Sequence, residues 1–269
     1  MRFNLLMELD LSEVERLKMT THQFNIKIKN RTVMKKLIIT AFVGLATLSL
    51  NAQKIIEKSF NYSGQSIDLD VKFANNIEVK TWDKSTVYFK ADITIEDGKY
   101  LDKYKLDIDE SSSSLNIASN VEDVFDAFKE EWDKTRPNKK GYYFSDDTYE
   151  FNYVLYVPKN ATFKVSSING DLRAEVIEGD FTADLINGDI DIKKYDGDMD
   201  LRTINGEIDL VLKNTRLVAE TIHGNIYADE GMDLNVSDRY VGQKVEGRFD
   251  NATHRLKLNT INGNMYLRL

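Results

Sequence analysis

Residues 168–210 read INGDLRAEVIEGDFTADLINGDIDIKKYDGDMDLRTINGEIDL, and the spacing inside this stretch decides the fold class. Gly170, Gly179, Gly188, Gly197 and Gly206 follow one another at nine-residue intervals. Gly224 comes two periods after Gly206, and Gly263 comes four periods plus three residues after Gly224. A fixed internal period is the mark of a repeat architecture, in which each unit buries its apolar face only against its neighbours.

The flanks repeat with the glycines. Two residues before them stand Ile168, Ile177, Ile186, Tyr195, Ile204, Ile222 and Ile261; two after stand Leu172, Phe181, Ile190, Met199, Ile208, Ile226 and Met265. Four after stand Ala174, Ala183, Ile192, Leu201, Leu210, Ala228 and Leu267. Polar residues lie between, so each unit reads as a short strand with one buried face. In this register Ile204 points inward, and Ile204→Asp is expected to unfold the repeat. Asn169-Gly170, Asn187-Gly188, Asn205-Gly206 and Asn262-Gly263 are Asn-Gly pairs, a signal for positive φ and tight turns. His223-Gly224 fills the same slot. The Ile-Asn-Gly form returns every eighteen residues, which predicts an all-β solenoid with two nine-residue units per coil. A meander of hairpins is the alternative, since Asn-Gly also builds hairpins.

Upstream, residues 53–118 read as strands of antiparallel type, with apolar alternation at Ile67-Asp68-Leu69-Asp70-Val71 and Ile77-Glu78-Val79. One helix follows. Ser119 and Glu122 have capping-box spacing, Val121, Val124, Phe125, Phe128 and Trp132 share a face, and Pro137 is expected to end it. Residues 119–153 thus read as a helix plus a loop carrying Tyr142, Tyr143, Phe144 and Tyr149, and residues 154–269 as the glycine repeat.

The amino terminus has a different character. Residues 34–52 read MKKLIITAFVGLATLSLNA: two lysines, an apolar run and Leu-Asn-Ala at a cleavage position, the three parts of a signal peptide. The run is about fourteen residues, short of the roughly 20 that span a bilayer. We expect export and cleavage after Ala52, with no membrane span remaining; an uncleaved anchor is the alternative. Met34 is the expected initiator and residues 1–33 a non-native leader.

Composition narrows the functions. The chain of 269 residues carries a formal net charge of -8 and no basic block, which speaks against nucleic acid as a partner. It has no Cys, so disulfides, thiol catalysis and Cys-based zinc sites are excluded. Its three histidines, His22, His223 and His254, are scant material for a metal centre or a triad.

Three passages resemble a known family. Asn76-Ile77-Glu78-Val79-Lys80-Thr81-Trp82-Asp83-Lys84 is similar to an I-x-V-x-x-W-D turn, and Tyr156-Val157-Pro158-Lys159-Asn160-Ala161 to the V-P-K-x-A that introduces the repeats. With the Ile-Asn-Gly units behind them, they resemble the DUF4097 family of adhesin-like β-repeat proteins over most of residues 60–269. The resemblance implies a right-handed β-helix-like fold and an extracytoplasmic location, and brings no catalytic residues. The helix and loop of 119–153 look like an insertion in that pattern.

Asp171, Asp180, Asp189 and Asp198 each follow a repeat glycine, and Asp191, Asp200 and Asp209 form a second acidic set. Stacked, the first four would make an acidic ladder able to take Ca²⁺. The RTX nonapeptide that binds Ca²⁺ needs more glycines than these units have, so turn capping is the simpler role. Tyr142, Tyr143, Phe144 and Tyr149 offer a surface for a glycan or protein ligand, or else cover the core. No catalytic residue and no cofactor is expected. The expected function is an exported, non-catalytic adhesin-like or envelope module. A periplasmic binding or signalling component acting through 119–153 is the alternative, and a β-helix carbohydrate-active enzyme stands third.

Overall fold

The computed structural model describes residues 53–136, 148–238, 240–249 and 251–269. The expected leader and signal peptide lie outside the described residues. The N-terminal strands are β1 (Gln53–Asn61), β2 (Ser66–Asp70), β3 (Phe73–Trp82), β4 (Thr86–Ile95), β5 (Lys105–Glu110) and β6 (Ser114–Asn120), with two 3₁₀ turns between β4 and β5. The helix α1 (Glu122–Thr135) follows, then β7 (Tyr149–Pro158), β8 (Ala161–Ala174) and β9 (Ile177–Asn187). The repeat continues as β10 (Ile190–Ile192), β11 (Tyr195–Asp196), β12 (Met199–Asn205) and β13 (Ile208–Val211). The chain closes with β14 (Thr215–Thr221), β15 (Ile226–Ala228), β16 (Leu234–Asp238), β17 (Gln243–Arg248), β18 (His254–Asn262) and β19 (Met265–Arg268).

The repeat region pairs in parallel at the predicted interval. Phe163 of β8 lies opposite Phe181 of β9, and Phe181 opposite Met199 of β12. On a second face Leu172 of β8 lies opposite Ile190 of β10, and Ile190 opposite Ile208 of β13. Tyr195 of β11 faces Ile177 of β9. Each step is eighteen residues, and none of these pairings is antiparallel, so the Asn-Gly pairs do not close hairpins. One continuous apolar core runs through the stack, including a face-stacked pair, Phe163 and Phe181, with centroids 4.6 Å apart. Each fully buried Leu, Ile or Phe contributes about 1.5–3 kcal/mol.

The N-terminal region shares this core. Its strands are of mixed direction rather than antiparallel throughout. β2 is parallel to both β6 and β8, and β3 to both β7 and β8, while β4 is antiparallel to β1 and β7, and β5 to β6. The helix α1 buries Val124 and Phe128 against the core, and Phe125 meets Phe73 edge-on at 4.9 Å. Its N-cap is Val121, without a side-chain cap, rather than Ser119. β6 continues its pairing with β5 through Asn120, which holds the buried Ser119 in the sheet and frees Glu122 to meet Lys72 at 3.3 Å.

At Gly188, Gly206 and Gly263 the inward register holds after the glycine and reverses before it. Ile190, Met199, Ile208, Leu201 and Leu210 are buried as expected. Ile186, Ile204, Ile222 and Ile261 face outward, with 38–45 % of their surface exposed. In each Thr/Leu-Ile-x-Gly corner two successive residues point out, so the alternation slips by one. Thr203 is buried, Ile204 and Asn205 are exposed, and burial resumes at Ile208. At Gly179 and Gly197 the alternation runs straight through, and Ile177 and Tyr195 are buried. Near the C-terminal end, Ala228 is exposed and Ile226 half-buried.

The C-terminal coil does not close the stack. β18 lies between β12 and β14, with Leu256 opposite both Met199 and Leu217. β19 lies between β13 and β15, with Met265 opposite both Ile208 and Ile226. The chain therefore leaves a slot after residue 211, builds the coil of β14 and β15 beyond it, and fills the slot with its last segment. β17 pairs antiparallel with β14, and β16 with β17.

Candidate functional site

The repeat glycines form two columns. In one, each of Gly188, Gly206, Gly263 and Gly224 packs on the carbonyl oxygen of the glycine in the coil before it, beginning at Gly170. In the other, Gly197 packs on Gly179, and Gly179 on Ala161. Gly206 is not in the left-handed region, contrary to the tight-turn reading of Asn205-Gly206. What requires glycine there is proximity: a Cβ would sit well inside 3.0 Å of the Gly188 carbonyl oxygen.

The side chains around the glycines are also engaged between coils. The amides of Asn187, Asn205 and Asn262 donate to the side-chain oxygens of Asn169, Asn187 and Asn205, at 2.9, 2.7 and 2.7 Å. The hydroxyls of Thr203, Thr260 and Thr221 donate to the carbonyls of Gly188, Gly206 and Gly263, at 2.9, 3.1 and 3.1 Å. The repeating Thr-Ile-x-Gly at 203, 221 and 260 was the available signal for the second set.

The four aspartates of the expected acidic ladder divide into two columns. Asp171 accepts the backbone N–H of Asp189 at 3.1 Å, and Asp189 that of Glu207 at 2.7 Å. Asp180 accepts the N–H of Asp198 at 3.1 Å, and Asp198 that of Arg255 at 2.8 Å. A backbone donor from the next coil thus meets each carboxylate, an arrangement that offsets repulsion within the column. That N–H, with the Arg255 guanidinium, holds the Asp198 carboxyl below the usual range. The second acidic set is paired with cations: Asp191 with Lys193 at 2.6 Å, Asp200 with Arg202 at 2.7 Å, and Asp209 with Arg268 at 2.8 Å. Among the described residues, no group of three or more His, Asp or Glu is gathered for a metal ion. A groove of about 420 Å³ runs along this face, lined by Asp180, Phe181, Asp198, Met199, Arg255 and Lys257 among others.

Of the aromatic loop, Tyr142, Tyr143 and Phe144 lie outside the described residues. Tyr149 begins β7, half-buried, with ring centroids 4.7 Å from Phe151 and 5.6 Å from Phe125. His223 occupies a corner, its backbone N–H donating to the Ile261 carbonyl. His254, for which the sequence offered no partner, lies 2.7 Å from an Asp196 carboxylate oxygen.

A further aromatic group forms only in the folded sheet. Trp82, Tyr88 and Tyr156 stand on the outer face of β3, β4 and β7, at positions that alternate with buried Val79, Val87, Phe89, Leu155 and Val157. Tyr88 and Tyr156 are cross-strand partners. The Trp82 centroid lies 4.8 Å from Tyr156 and 6.3 Å from Tyr88. The indole N–H is spent on the Thr86 carbonyl at 2.7 Å, which fixes the ring. The Lys84 ammonium sits 4.3 Å from the Trp82 centroid and Lys80 5.3 Å from Tyr156. Partial burial, and next the Glu57 carboxylate that it hydrogen-bonds, raise the Tyr88 phenol above its ordinary value. The sign was an aromatic on a polar-face position, but three separate segments had to be paired before the rings met.

Among the described residues, no helix is long and apolar enough to cross a membrane. No family model matches the chain, and no curated protein sequence matches it. Solved structures do. A Clostridium sporogenes protein named for cell adhesion aligns over 80 % of this chain and 99 % of its own, at 12 % identity and TM-score 0.51. A Bacteroides fragilis protein named as an adhesin aligns over 80 % and 97 %, at 8 % identity and TM-score 0.27. One from Parabacteroides merdae, also named as an adhesin, aligns over 65 % and 69 %, at 14 % identity and TM-score 0.25. At such identity the first of these likenesses speaks for a shared fold.

Proposed function

We propose that this chain is an exported, non-catalytic β-solenoid of the DUF4097 type, serving as an adhesin-like or envelope binding module. The single observation that carries the reading is the use made of the repeat's carboxylates. Asp171, Asp180, Asp189 and Asp198 accept backbone N–H groups of neighbouring coils, and Asp191, Asp200 and Asp209 are paired with cations. Groups so engaged hold a scaffold together rather than stand ready to move protons. The eighteen-residue parallel stacking supports the solenoid, and the fold shared with a protein named for cell adhesion is consistent with the role.

Export rests on the signal-peptide pattern of residues 34–52. Protease shaving of intact cells, with fractionation and N-terminal sequencing of the mature chain, tests it. Cleavage from outside, with a start at Gln53, is the expected result. Full protection until the outer membrane is opened rejects surface display and favours a periplasmic binding component. Recovery of the chain in the cytoplasm, still carrying residues 34–52, rejects export altogether.

A further inference from the structure

The outer face of β3, β4 and β7 carries aromatic rings that the core does not use. Neighbouring positions on that face hold what a solvated sheet ordinarily carries: Glu78, Lys90, Asp92 and Asn152. Trp82, Tyr88 and Tyr156 break that pattern together, within 6.3 Å of one another by centroid. The Trp82 N–H meets the Thr86 carbonyl and the Tyr88 hydroxyl meets the Glu57 carboxylate, so these two rings are held in place and offer mainly their faces. We propose that these three residues form a platform for a neutral pyranose chain.

The electronic character of the rings supports that ligand. An aromatic face is electron-rich, and here it is met by Lys84 at 4.3 Å and Lys80 at 5.3 Å. The C–H groups on the flat side of a pyranose carry the same sense of partial charge. They can take the place of a mobile ammonium, which then donates to the sugar's hydroxyls. The rim supplies further partners. Glu57 and Glu78 accept, and Ser59 and Asn61 lie on β1 opposite Tyr88 and Thr86. Glu57, Glu78 and Asp92 balance Lys80, Lys84 and Lys90 on this face, which favours a neutral chain over a polyanion.

The three rings by themselves fall short of the footprint a folded protein needs. A fully buried aromatic hides about 150–250 Å², so three half-buried rings expose a few hundred Å² at most. A stable protein interface takes about 800 Å² from each partner. Small ligands bound without a deep cavity must spread along a surface, and a polysaccharide does so by adding rings. The inference rests on the binding-module reading and is independent of where the protein is displayed.

The test uses the purified mature chain against soluble β-glucan, xyloglucan, mannan and starch, with polygalacturonate as the acidic comparison. Binding is followed by affinity electrophoresis and by fluorescence in a Trp132→Phe background, where Trp82 is the one remaining indole. We expect at least one neutral polysaccharide to bind and to shift the Trp82 emission. Trp82→Ala or Tyr156→Ala should weaken binding at least tenfold without lowering the melting temperature by more than a few degrees. Lys84→Ala, a fully surface change, provides a weaker loss should either ring variant fold poorly. The bound chain should be recovered at unchanged length, which separates binding from turnover. Binding to none of the neutral polysaccharides overturns the proposal. So does binding that survives both ring substitutions, or binding to polygalacturonate alone that disappears with salt. None of these outcomes bears on export, which shaving decides separately.

Discussion

Gly206→Asn is the substitution that best separates the two physical reasons for a glycine in this repeat. Were Gly206 required for a left-handed turn, Asn would be tolerated, because its side chain accepts that conformation. The structure instead places Gly206 against the carbonyl of Gly188. Any Cβ forces the coils apart at that corner. Three hydrogen bonds cross it: Gly188 N–H to the Asn205 carbonyl at 3.2 Å, Thr203 to the Gly188 carbonyl at 2.9 Å, and Asn205 to Asn187 at 2.7 Å. At about 0.5–1.5 kcal/mol each, losing them costs about 3 kcal/mol. A domain of about 200 residues shifts its melting temperature by about 2–4 °C per kcal/mol, so Gly206→Asn should melt roughly 6–12 °C below the parent. Gly231 is the control. It has φ +96 and open space where a Cβ would go, so Gly231→Asn should cost only about 1 kcal/mol of backbone strain, well below Gly206→Asn. Both variants are read by thermal unfolding followed by circular dichroism. A Gly206→Asn variant melting within about 2 °C of the parent would refute the close-approach argument.

Other positions give independent checks. Ile204→Asp should cost only about 1–2 kcal/mol in urea, because Ile204 keeps 39 % of its surface exposed, whereas Leu201→Ala, at 0 % exposure, should cost about 2–5 kcal/mol. The reverse ranking would mean that the corner does not slip. Leu258→Ala should cost a similar amount and loosen residues 215–248 first, since β18 holds β14 to the rest of the stack. Hydrogen exchange that accelerates equally in β8 and β9 would contradict the slot-filling role. Burial raises the phenols of Tyr104 and Tyr153, the latter to about 12, and the Tyr104 hydroxyl donates to that of Tyr153 at 3.2 Å. The folded chain holds these protons more tightly than the unfolded one, whose tyrosines titrate near 10. Their contribution is therefore intact below about pH 10 and is lost as pH rises from there through about 12. Tyr104 and Tyr153 should be the last tyrosines to ionise in an absorbance titration; complete ionisation near pH 10 with the fold intact would rule out this burial.

Part of the acidic surface could be understood only between coils. Asp198 follows a repeat glycine in sequence, yet its partner is Arg255, fifty-seven residues on. The Ile column has a different cause. Ile204 and Ile177 hold the same place relative to a glycine, and one is exposed while the other is buried. A local pattern does not distinguish a corner that slips the alternation from one that carries it through. The difference lies in whether the chain turns to a new face there, as between β12 and β13, or continues along one strand, as at Gly179 in β9.

What the amino-acid order determined was the repeating unit. Period two along each strand, period nine between glycines and period eighteen between Ile-Asn-Gly corners are local regularities, and they led to an all-β stack with the observed inter-coil step. What tertiary structure alone decided was the order of the coils and the company of the outer face. Thr260-Ile261-Asn262-Gly263 is equally suited to any slot in the glycine column. Its place between residues 203–206 and 221–224 depends on which unsatisfied strand edges remain when the chain returns. Trp82, Tyr88 and Tyr156 become one surface only when β3 and β4 take β7 between them. Both outcomes depend on pairing between distant segments, and pairing at long range is settled by the assembled edges and core rather than by any short pattern of residues.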